Sequence, residues 1–200
     1  MSRLFRNNIS VDFKSFETLD LPYSVGYVEN VDDLDKVYAL DCAAYGELNI
    51  DRNTLVSWWH LHNKGIFVVK KDLKVIGAMG IFPLSVKVYN ALKSGKLSEN
   101  EIYPSKYKES KYWYVSGIVI DEKYRSTRVI LYILYISMWM WFRDNKFSED
   151  VVIGSIPISE MGKKLLNRFK FECDSNFCEI KFFRSDLKKL IYSFNIVPVF

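Results

Sequence analysis

Two arginines lie in a short polar loop between an apolar strand pattern and an apolar helix pattern. The loop DEKYRSTR, residues 121–128, follows YWYVSGIVI and precedes VILYILYISMWMWF. A loop that turns into a helix offers backbone N–H groups without intrahelical partners, together with the positive end of the helix dipole. Arg125 and Arg128 would add charge-assisted hydrogen bonds to an anion. The junction therefore predicts an anion site, and solvated surface cations are the alternative interpretation.

Few other side chains are spaced for catalysis or metal binding. His60 and His62 are the only histidines, and their spacing on a helix points them in different directions, so we expect surface positions and no metal site. Cys42 falls on an apolar helical stripe, which predicts a packed thiol rather than a nucleophile. The chain has 3 cysteines without metal-type spacing, which favours reduced thiols.

The composition limits the classes of function. The chain has 200 residues, of which 49% are hydrophobic and 26% charged, which predicts one globular domain over residues 1–200 with an N-terminal arm at 1–20. The net charge of +4 is spread among acidic residues, so nucleic-acid binding is the function with least support. The first ten residues lack an apolar signal-peptide core, which predicts a cytoplasmic protein.

The most apolar stretch runs from Val129 to Phe142. It is shorter than the roughly 20 residues that cross a bilayer, so no membrane span is predicted. Its apolar residues occupy all helical faces, which favours burial under the sheet or in a homodimer interface. A helix lying on a membrane surface is the alternative.

The periodicity of the chain predicts alternating strands and helices. A strand at Leu21 to Tyr27 precedes two helices, the first closed by Gly46 and the second ending by Gly65. A hairpin, an insertion at 86–111, the strand from Tyr112 to Ile120 and the long apolar helix follow. The chain ends with a strand VVIGSI, a helix in ISEMGKKLLNRFKF, a strand FCEIKFF and a helix opened by Ser185 and Asp186.

This order resembles the GNAT superfamily of acyl-CoA N-acyltransferases over about residues 23–183. The stretch IVIDEKYRSTRVILYIL is similar to the family's signature strand, loop and helix, whose loop follows (Q/R)-x-x-G-x-(G/A). Arg125 takes the first place, whereas Arg128 and Ile130 replace the glycine and the final small residue. The stretch SEMGKKLLNRFKF is similar to a second motif, N-x-x-A-x-x-L-Y-x-K-x-G-F, and the insertion resembles that of a bacterial subset of the family.

The resemblance implies an α/β (α+β) fold, in which helices flank a mixed, mostly antiparallel sheet, and acetyl-CoA or another acyl-CoA as co-substrate, with no metal. The pantetheine arm would lie beside the signature strand, where a backbone N–H polarises the thioester carbonyl. Gly117 fits a bulge that parts this strand from the next, with a packing glycine as the alternative. The implied cofactor-binding residues are Gly117, Ile118, Val119, Ile120, Arg125, Ser126, Thr127, Arg128, Val129, Ile130, Leu131 and Ser159.

Acyl transfer to an amine needs a base for the amine proton and an acid for the leaving thiolate. The family's glutamate on the signature strand is absent here, and Leu166 replaces the tyrosine of its second motif. Tyr114 and Ser116 are therefore the candidate catalytic residues, as acids, and a water relay is the alternative. The resemblance places an acceptor groove along the first two helices, where Asp41 and Glu47 would meet an amine unless they are solvated carboxylates.

These implications predict an N-acyltransferase that transfers an acyl group directly in a ternary complex. The acceptor would be a small-molecule or peptide amine, and an acyl-carrier protein is an alternative donor. The insertion would cover the acceptor side and pack lightly, or be a decorative excursion. Because the expected glycine, glutamate and tyrosine are missing, the alternative function is a catalytically degenerate acyl-CoA-binding or protein-interaction module.

Overall fold

The structure is a computed structural model. It describes residues 8–10, 22–105, 110–125, 129–145, 147, 150–175, 181–193 and 197–199. The predicted arm therefore lies outside the described residues except for strand β1 (Asn8–Ser10), which pairs antiparallel with β9 (Val197–Val199).

Seven strands form the main sheet, in the order β2-β3-β4-β5-β6-β8-β7. The pair β5–β6 is parallel and the other neighbouring pairs are antiparallel. The predicted mixed, mostly antiparallel sheet is thus confirmed. The strands are β2 (Ser24–Tyr27), β3 (Ile66–Lys71), β4 (Lys74–Leu84), β5 (Tyr112–Ile120), β6 (Val152–Ser155), β7 (Glu172–Ser175) and β8 (Phe182–Asp186).

The helices begin and end at residues suited to those places. Asn30 accepts a hydrogen bond from Asp33 N at 2.9 Å before the first helix, and Gly46 ends it with a φ of +58°, a conformation that glycine adopts without strain. The α-helices are α1 (Val31–Tyr45), α2 (Arg52–Leu61), α3 (Val86–Lys93), α4 (Val129–Asp144), α5 (Glu160–Arg168) and α6 (Leu187–Ser193), and short 3-10 helices cover Gly46–Leu48, Glu99–Glu101 and Glu122–Tyr124.

A hydrophobic core lies on each face of the sheet. Successive side chains of a strand point to opposite faces, so Trp113 of β5 enters the core under α4 and Tyr114 enters the core under α1, α2 and α3. Both aromatic side chains are fully buried. Strand β5 therefore links the two cores, and any opening beside it reaches both sides of the sheet.

Helix α4 is buried as the sequence predicts. It packs on β2, β3 and β4, and each described side chain from Val129 to Phe142 is buried or half-buried. Among the described residues, no helix is both long and apolar enough to cross a membrane.

The expectation that the insertion packs lightly is wrong. Tyr89, Leu92 and Ile102 are buried in the second core, and Trp58 Nε1 of α2 donates to the Ile102 carbonyl at 2.8 Å. These apolar residues are widely spaced among charged ones. The hydrophobic pattern of the sequence therefore predicts less burial of the insertion than the structure has.

The C-terminal part of the sheet also differs from prediction. Where one strand FCEIKFF was expected, the structure has the antiparallel pair β7 and β8, and residues 177–180 of the expected strand lie outside the described ranges. Strand β7 is short, and Glu172 and Asp174 give it a polar pattern, which explains why periodicity does not reveal it.

The isolated polar side chains follow the predictions except at His62. His60 is exposed, whereas His62 is buried and lies edge-on to Trp113, with ring centroids 5.9 Å apart. The helix ends at Leu61, so the helical spacing no longer governs the direction of His62. Cys42 is half-buried and its Sγ accepts from Asn49 Nδ2 at 3.1 Å, as expected for a packed thiol.

Candidate functional site

A cleft opens where strands β5 and β6 part. Their parallel pairing extends only to Val115 and Ser155, after which the two segments separate. Pro157 then follows, and a proline has no N–H with which to continue the ladder. The cleft between the separated segments has a cavity volume of about 140 Å³.

A β-bulge shapes strand β5 at the start of the cleft. Gly80 is opposite Gly117 while Ile81 is opposite Val115, so Ser116 is the extra residue. Ser116 Oγ occupies the space that a Cβ at position 80 would need, whereas a Cβ at Gly117 would meet no atom within 4 Å. The predicted bulge is present, and Gly117 leaves open space beside the strand.

The backbone of Ile118 faces the cleft. Tyr45 Oη of α1 donates to the Ile118 carbonyl at 2.8 Å, and both residues line the cleft. The N–H and C=O groups of one strand residue point to the same side, so the Ile118 N–H is also directed away from β4 and toward the cleft. Burial, reinforced by the charges of Asp41 and Glu99, raises the pKa of Tyr45 to about 12, which keeps its hydroxyl a donor at neutral pH.

Glu99 brings a carboxyl group into the cleft from the insertion. The side chain as a whole is half-buried, but its Oε1 is shielded from solvent and has no hydrogen-bond partner among the described residues. Burial, with a smaller contribution from the charge of Asp41, raises the pKa of Glu99 to about 8 against an opposing effect of the Tyr114 hydroxyl. The cleft thus holds a carboxyl group that titrates near physiological pH.

Contacts with the start of α2 hold the turn that carries Glu99. Asn100 Oδ1 accepts from Asp51 N at 2.9 Å. The Trp58 bond to the Ile102 carbonyl fixes the residues that follow. Glu101 turns away from the cleft and accepts from Ser98 N at 2.8 Å. The position of Glu99 therefore depends on packing between the insertion and α2.

Comparisons with known proteins give a structural match. No family model matches the sequence, and no curated protein matches it. An acetyltransferase of the GNAT family from Staphylococcus aureus has a TM-score of 0.56 and 11% identity, covering 82% of this chain and 99% of that chain. The chain has the GNAT fold.

Two further solved structures share this GNAT fold. Naa50 from Arabidopsis thaliana, solved with the bisubstrate analogue CoA-Ac-MVNAL, has a TM-score of 0.57 and 10% identity over 84% of this chain and 100% of that chain. The loading GNATL domain of CurA from Lyngbya majuscula has a TM-score of 0.61 and 9% identity over 83% of this chain and 98% of that chain. At these identities the likeness concerns the fold.

The two candidate catalytic residues on the signature strand of this GNAT fold occupy different environments. Ser116 lines the cleft, whereas Tyr114 does not and is fully buried. The Tyr114 hydroxyl lies near the Glu99 carboxyl, but the approach lacks standard hydrogen-bond geometry. Burial raises the pKa of Tyr114, so the hydroxyl stays protonated.

The two carboxylates that the sequence predicts for the acceptor groove also lie in different environments. Asp41 lines the cleft, and its Oδ2 accepts from Ile50 N at 2.9 Å. Burial raises the pKa of Asp41, although the Ile50 N–H partly offsets this effect. Glu47 is exposed and is not among the residues that line the cleft. The described residues contain no group of three His, Cys, Asp or Glu placed to bind a metal ion.

Most described residues that are expected to bind the cofactor lie on the C-terminal half of β5 and on the first turn of α4. Gly117, Ile118 and Ile130 line the cleft, while the side chains of Val119, Ile120 and Val129 are buried beside it. Val129, Ile130 and Leu131 form the first turn of α4, whose N–H groups point toward the helix N-terminus. Ser126, Thr127 and Arg128 lie outside the described residues.

The two remaining expected cofactor-binding residues are Arg125, at the end of β5, and Ser159, at the start of α5. Arg125 is exposed, and its Nε donates to the Ile120 carbonyl at 3.1 Å, which holds the guanidinium at the end of β5. Ser159 lines the cleft and caps α5 by accepting from Gly162 N at 3.0 Å. Leu166 also lines the cleft, so the position of the family's tyrosine contributes no hydroxyl.

Sequence reasoning missed Glu99. The sequence predicts catalytic side chains on the signature strand and acceptor carboxylates on the first two helices, and it predicts the insertion only as a cover. The sequence signal for Glu99 is a carboxylate within the insertion on the expected acceptor side, and Glu101 and Glu109 share that property.

Proposed function

We propose that the protein is an acyl-CoA-dependent N-acyltransferase and that Glu99 is its general base. The observation that supports this most is the Glu99 carboxyl, which lies in the cleft with a buried, unpartnered Oε1 and a pKa of about 8. A general base works best when its pKa is near the operating pH. Glu99 thus supplies the carboxylate that the signature strand lacks.

The donor is proposed to bind along the strand and helix that carry the family motif. The pantetheine arm lies beside Gly117 to Ile120, where β6 no longer pairs with β5. Its phosphates lie at the first turn of α4, which offers N–H groups and a favourable dipole, with Arg125 at the end of β5 as a further donor. The bisubstrate analogue bound to Naa50 joins CoA through an acetyl group to a peptide, which supports one continuous site for donor and acceptor.

The proposed reaction is direct transfer. The Glu99 carboxylate takes a proton from the acceptor amine, the nitrogen attacks the thioester carbonyl carbon, and the Ile118 N–H stabilises the negative charge that develops on its oxygen. The C–N bond forms, the C–S bond breaks, and the proton lost from nitrogen is balanced by one taken up by sulfur. A thiol with a pKa of about 8.5 leaves without a strong acid, and Ser116 lies at the bulge where it can relay a proton.

A non-catalytic acyl-CoA-binding module is the second candidate function. Leu166 at the position of the family's tyrosine favours it, as does Ile130 in place of a small residue of the loop motif. The two candidates differ in whether thiol is released when an amine is present.

The test combines acyl-CoA binding with thiol release. Acetyl-CoA should raise the melting temperature of the wild type, because a ligand that binds only the folded state stabilises it. Glu99→Gln should lower kcat/KM by about 100-fold to 10,000-fold with acetyl-CoA affinity unchanged. The exposed Glu47→Gln is the matched control and should behave as wild type.

The outcomes separate the candidates. Acetyl-CoA binding without thiol release for any amine would assign the binding module. Wild-type turnover in Glu99→Gln would reject this base, and the lack of any response to acyl-CoA would reject the proposal as a whole.

A further inference from the structure

We infer that the acceptor is a primary amine that carries an apolar substituent and has no carboxylate or phosphate next to its nitrogen. This inference rests on the proposed function and deepens it. Two independent features of the cleft support it, namely the charges at its acceptor end and the apolar side chains at its mouth.

The acceptor end of the cleft contains two carboxyl groups. Asp41 comes from α1 and Glu99 from the insertion, and both line the same cleft. The described residues that line it include no lysine, arginine or histidine. The cationic Arg125 is held on the Ile120 carbonyl at the donor end, where the CoA phosphates are proposed to bind.

This charge pattern favours a cation and disfavours a second anion. An ammonium group between Asp41 and Glu99 gains from both carboxyl groups, and it donates the proton that Glu99 accepts. An acceptor with a carboxylate beside the nitrogen would place that charge near two carboxyl groups without a described counter-charge, in a partly buried site where repulsion is weakly screened. A free amino acid is therefore a poor acceptor.

The mouth of the cleft is apolar on both sides. Leu48, Ile158 and Met161 are large side chains that are 69%, 45% and 68% exposed, and all three line this cleft. Leu48 follows α1 close to Asp41 along the chain, whereas the other two lie at the start of α5. Exposed apolar side chains that cluster around one opening mark a binding surface, and here the occupant that fits the neighbouring carboxyl groups is the apolar part of the amine.

Matched amines test the charge argument. With acetyl-CoA as donor, thiol release is measured for phenethylamine, phenylalanine and phenylalaninamide, which share the ring and the nitrogen but differ in the neighbouring group. Phenethylamine and phenylalaninamide should exceed phenylalanine in kcat/KM by on the order of 100-fold. Asp41→Asn should narrow that gap, because it removes one of the two repelling carboxylates.

A second set of reactions tests the apolar mouth. The kcat/KM for ethylamine should be about 10-fold lower than that for phenethylamine, and Leu48→Ala should reduce this difference. Leu73→Ala is the control, because Leu73 is 88% exposed and lies in the β3–β4 turn rather than in the cleft.

Each outcome bears on one claim. Equal turnover of phenylalanine and phenethylamine would overturn the inference and leave the acyltransferase proposal intact. If Leu48→Ala altered the preference between octanoyl-CoA and acetyl-CoA but not that between amines, the apolar mouth would hold the acyl chain and the acceptor assignment would be wrong. Acetyl-CoA binding with no amine consumed would overturn the inference together with catalysis, and no acetyl-CoA binding would overturn the proposed function.

Discussion

The two ends of the cleft are assembled in different ways. The proposed donor end comes from one stretch of sequence, in which strand β5 is followed after eight residues by the first turn of α4. The proposed acceptor end brings together Asp41 from α1, Glu99 from the insertion and Ser116 from the bulge in β5. A continuous stretch leaves a motif in the sequence, whereas an end made of distant segments does not. The proposed donor end can consequently be recognised from the sequence, whereas the residues of the proposed acceptor end are brought together only by the fold.

Filling the open space at Gly117 is expected to have the largest effect, because it blocks the junction of the two ends. A Cβ at Gly117 meets no atom of the described residues within 4 Å, so Gly117→Val should fold normally while its side chain occupies the proposed place of the thioester. We expect kcat/KM to fall by about 100-fold or more. Gly26 also has open space around it, and Gly26→Val serves as the control. Full activity in Gly117→Val would mean that the thioester lies elsewhere.

Removing the two arginines proposed to hold the CoA phosphates should weaken CoA binding and leave the acyl-transfer step unchanged. Arg125→Ala combined with Arg128→Ala should weaken CoA binding by roughly 10-fold to 100-fold, since a charge-assisted hydrogen bond contributes about 1.5–3 kcal/mol. Calorimetry with free CoA measures this change. The exposed Lys123 lies on the same loop, and Lys123→Ala should leave the affinity unchanged. Unaltered affinity in the double variant would show that the phosphates bind elsewhere.

Loosening the insertion should change the pH dependence at the acceptor end. A base acts when deprotonated, so kcat/KM should rise with pH through about 8, the pKa of Glu99. Trp58→Phe removes the hydrogen bond to the Ile102 carbonyl and should let water reach Glu99, which lowers its pKa and moves the rise to lower pH. Trp59→Phe, which removes the bond to the Val28 carbonyl, is the control. An unshifted profile in Trp58→Phe would contradict the positioning role.

The smallest expected effect is on stability. Burial raises the pKa of Glu99 from 4.5 to about 8, so between these values the folded state retains a proton that the unfolded state releases. The free energy of unfolding should therefore fall as pH rises through this range. Glu99→Gln removes this dependence, so its melting temperature should exceed that of the wild type by a few degrees at pH 8 and match it near pH 4.5, as calorimetry would measure. A lower melting temperature at pH 8 would show that the carboxylate is well satisfied in the fold.

Some elements of the fold are predicted accurately from the sequence and others are not. The bounds expected for β5 are those of the structure, and α4 begins at the expected Val129, because strong local periodicity and a polar loop determine both. The short strand β7 and the burial of His62 were not predicted. Each depends on neighbours that are distant in the sequence.

The environments of Tyr114 and Ser116 at the candidate site also depend on segments that are distant in the sequence. The alternation of a strand places both on one face, and their types made them equal candidates for catalysis. The packed insertion buries Tyr114, while the parting of β5 and β6 leaves Ser116 in the cleft. Their catalytic roles remain predictions, but the structure decides which of them an acceptor can touch.

The sequence by itself determined the order of the main elements, the apolar helix and the location of the motif that is proposed to bind the donor, because hydrophobic periodicity and loop chemistry act over neighbouring residues. The tertiary structure alone decided that Glu99 faces the cleft. That outcome depends on Asn100 contacting Asp51 and on Trp58 holding Ile102, contacts between segments far apart in the chain. Burial by those segments raises the pKa of Glu99, and a residue's solvation cannot be read from its immediate sequence neighbours.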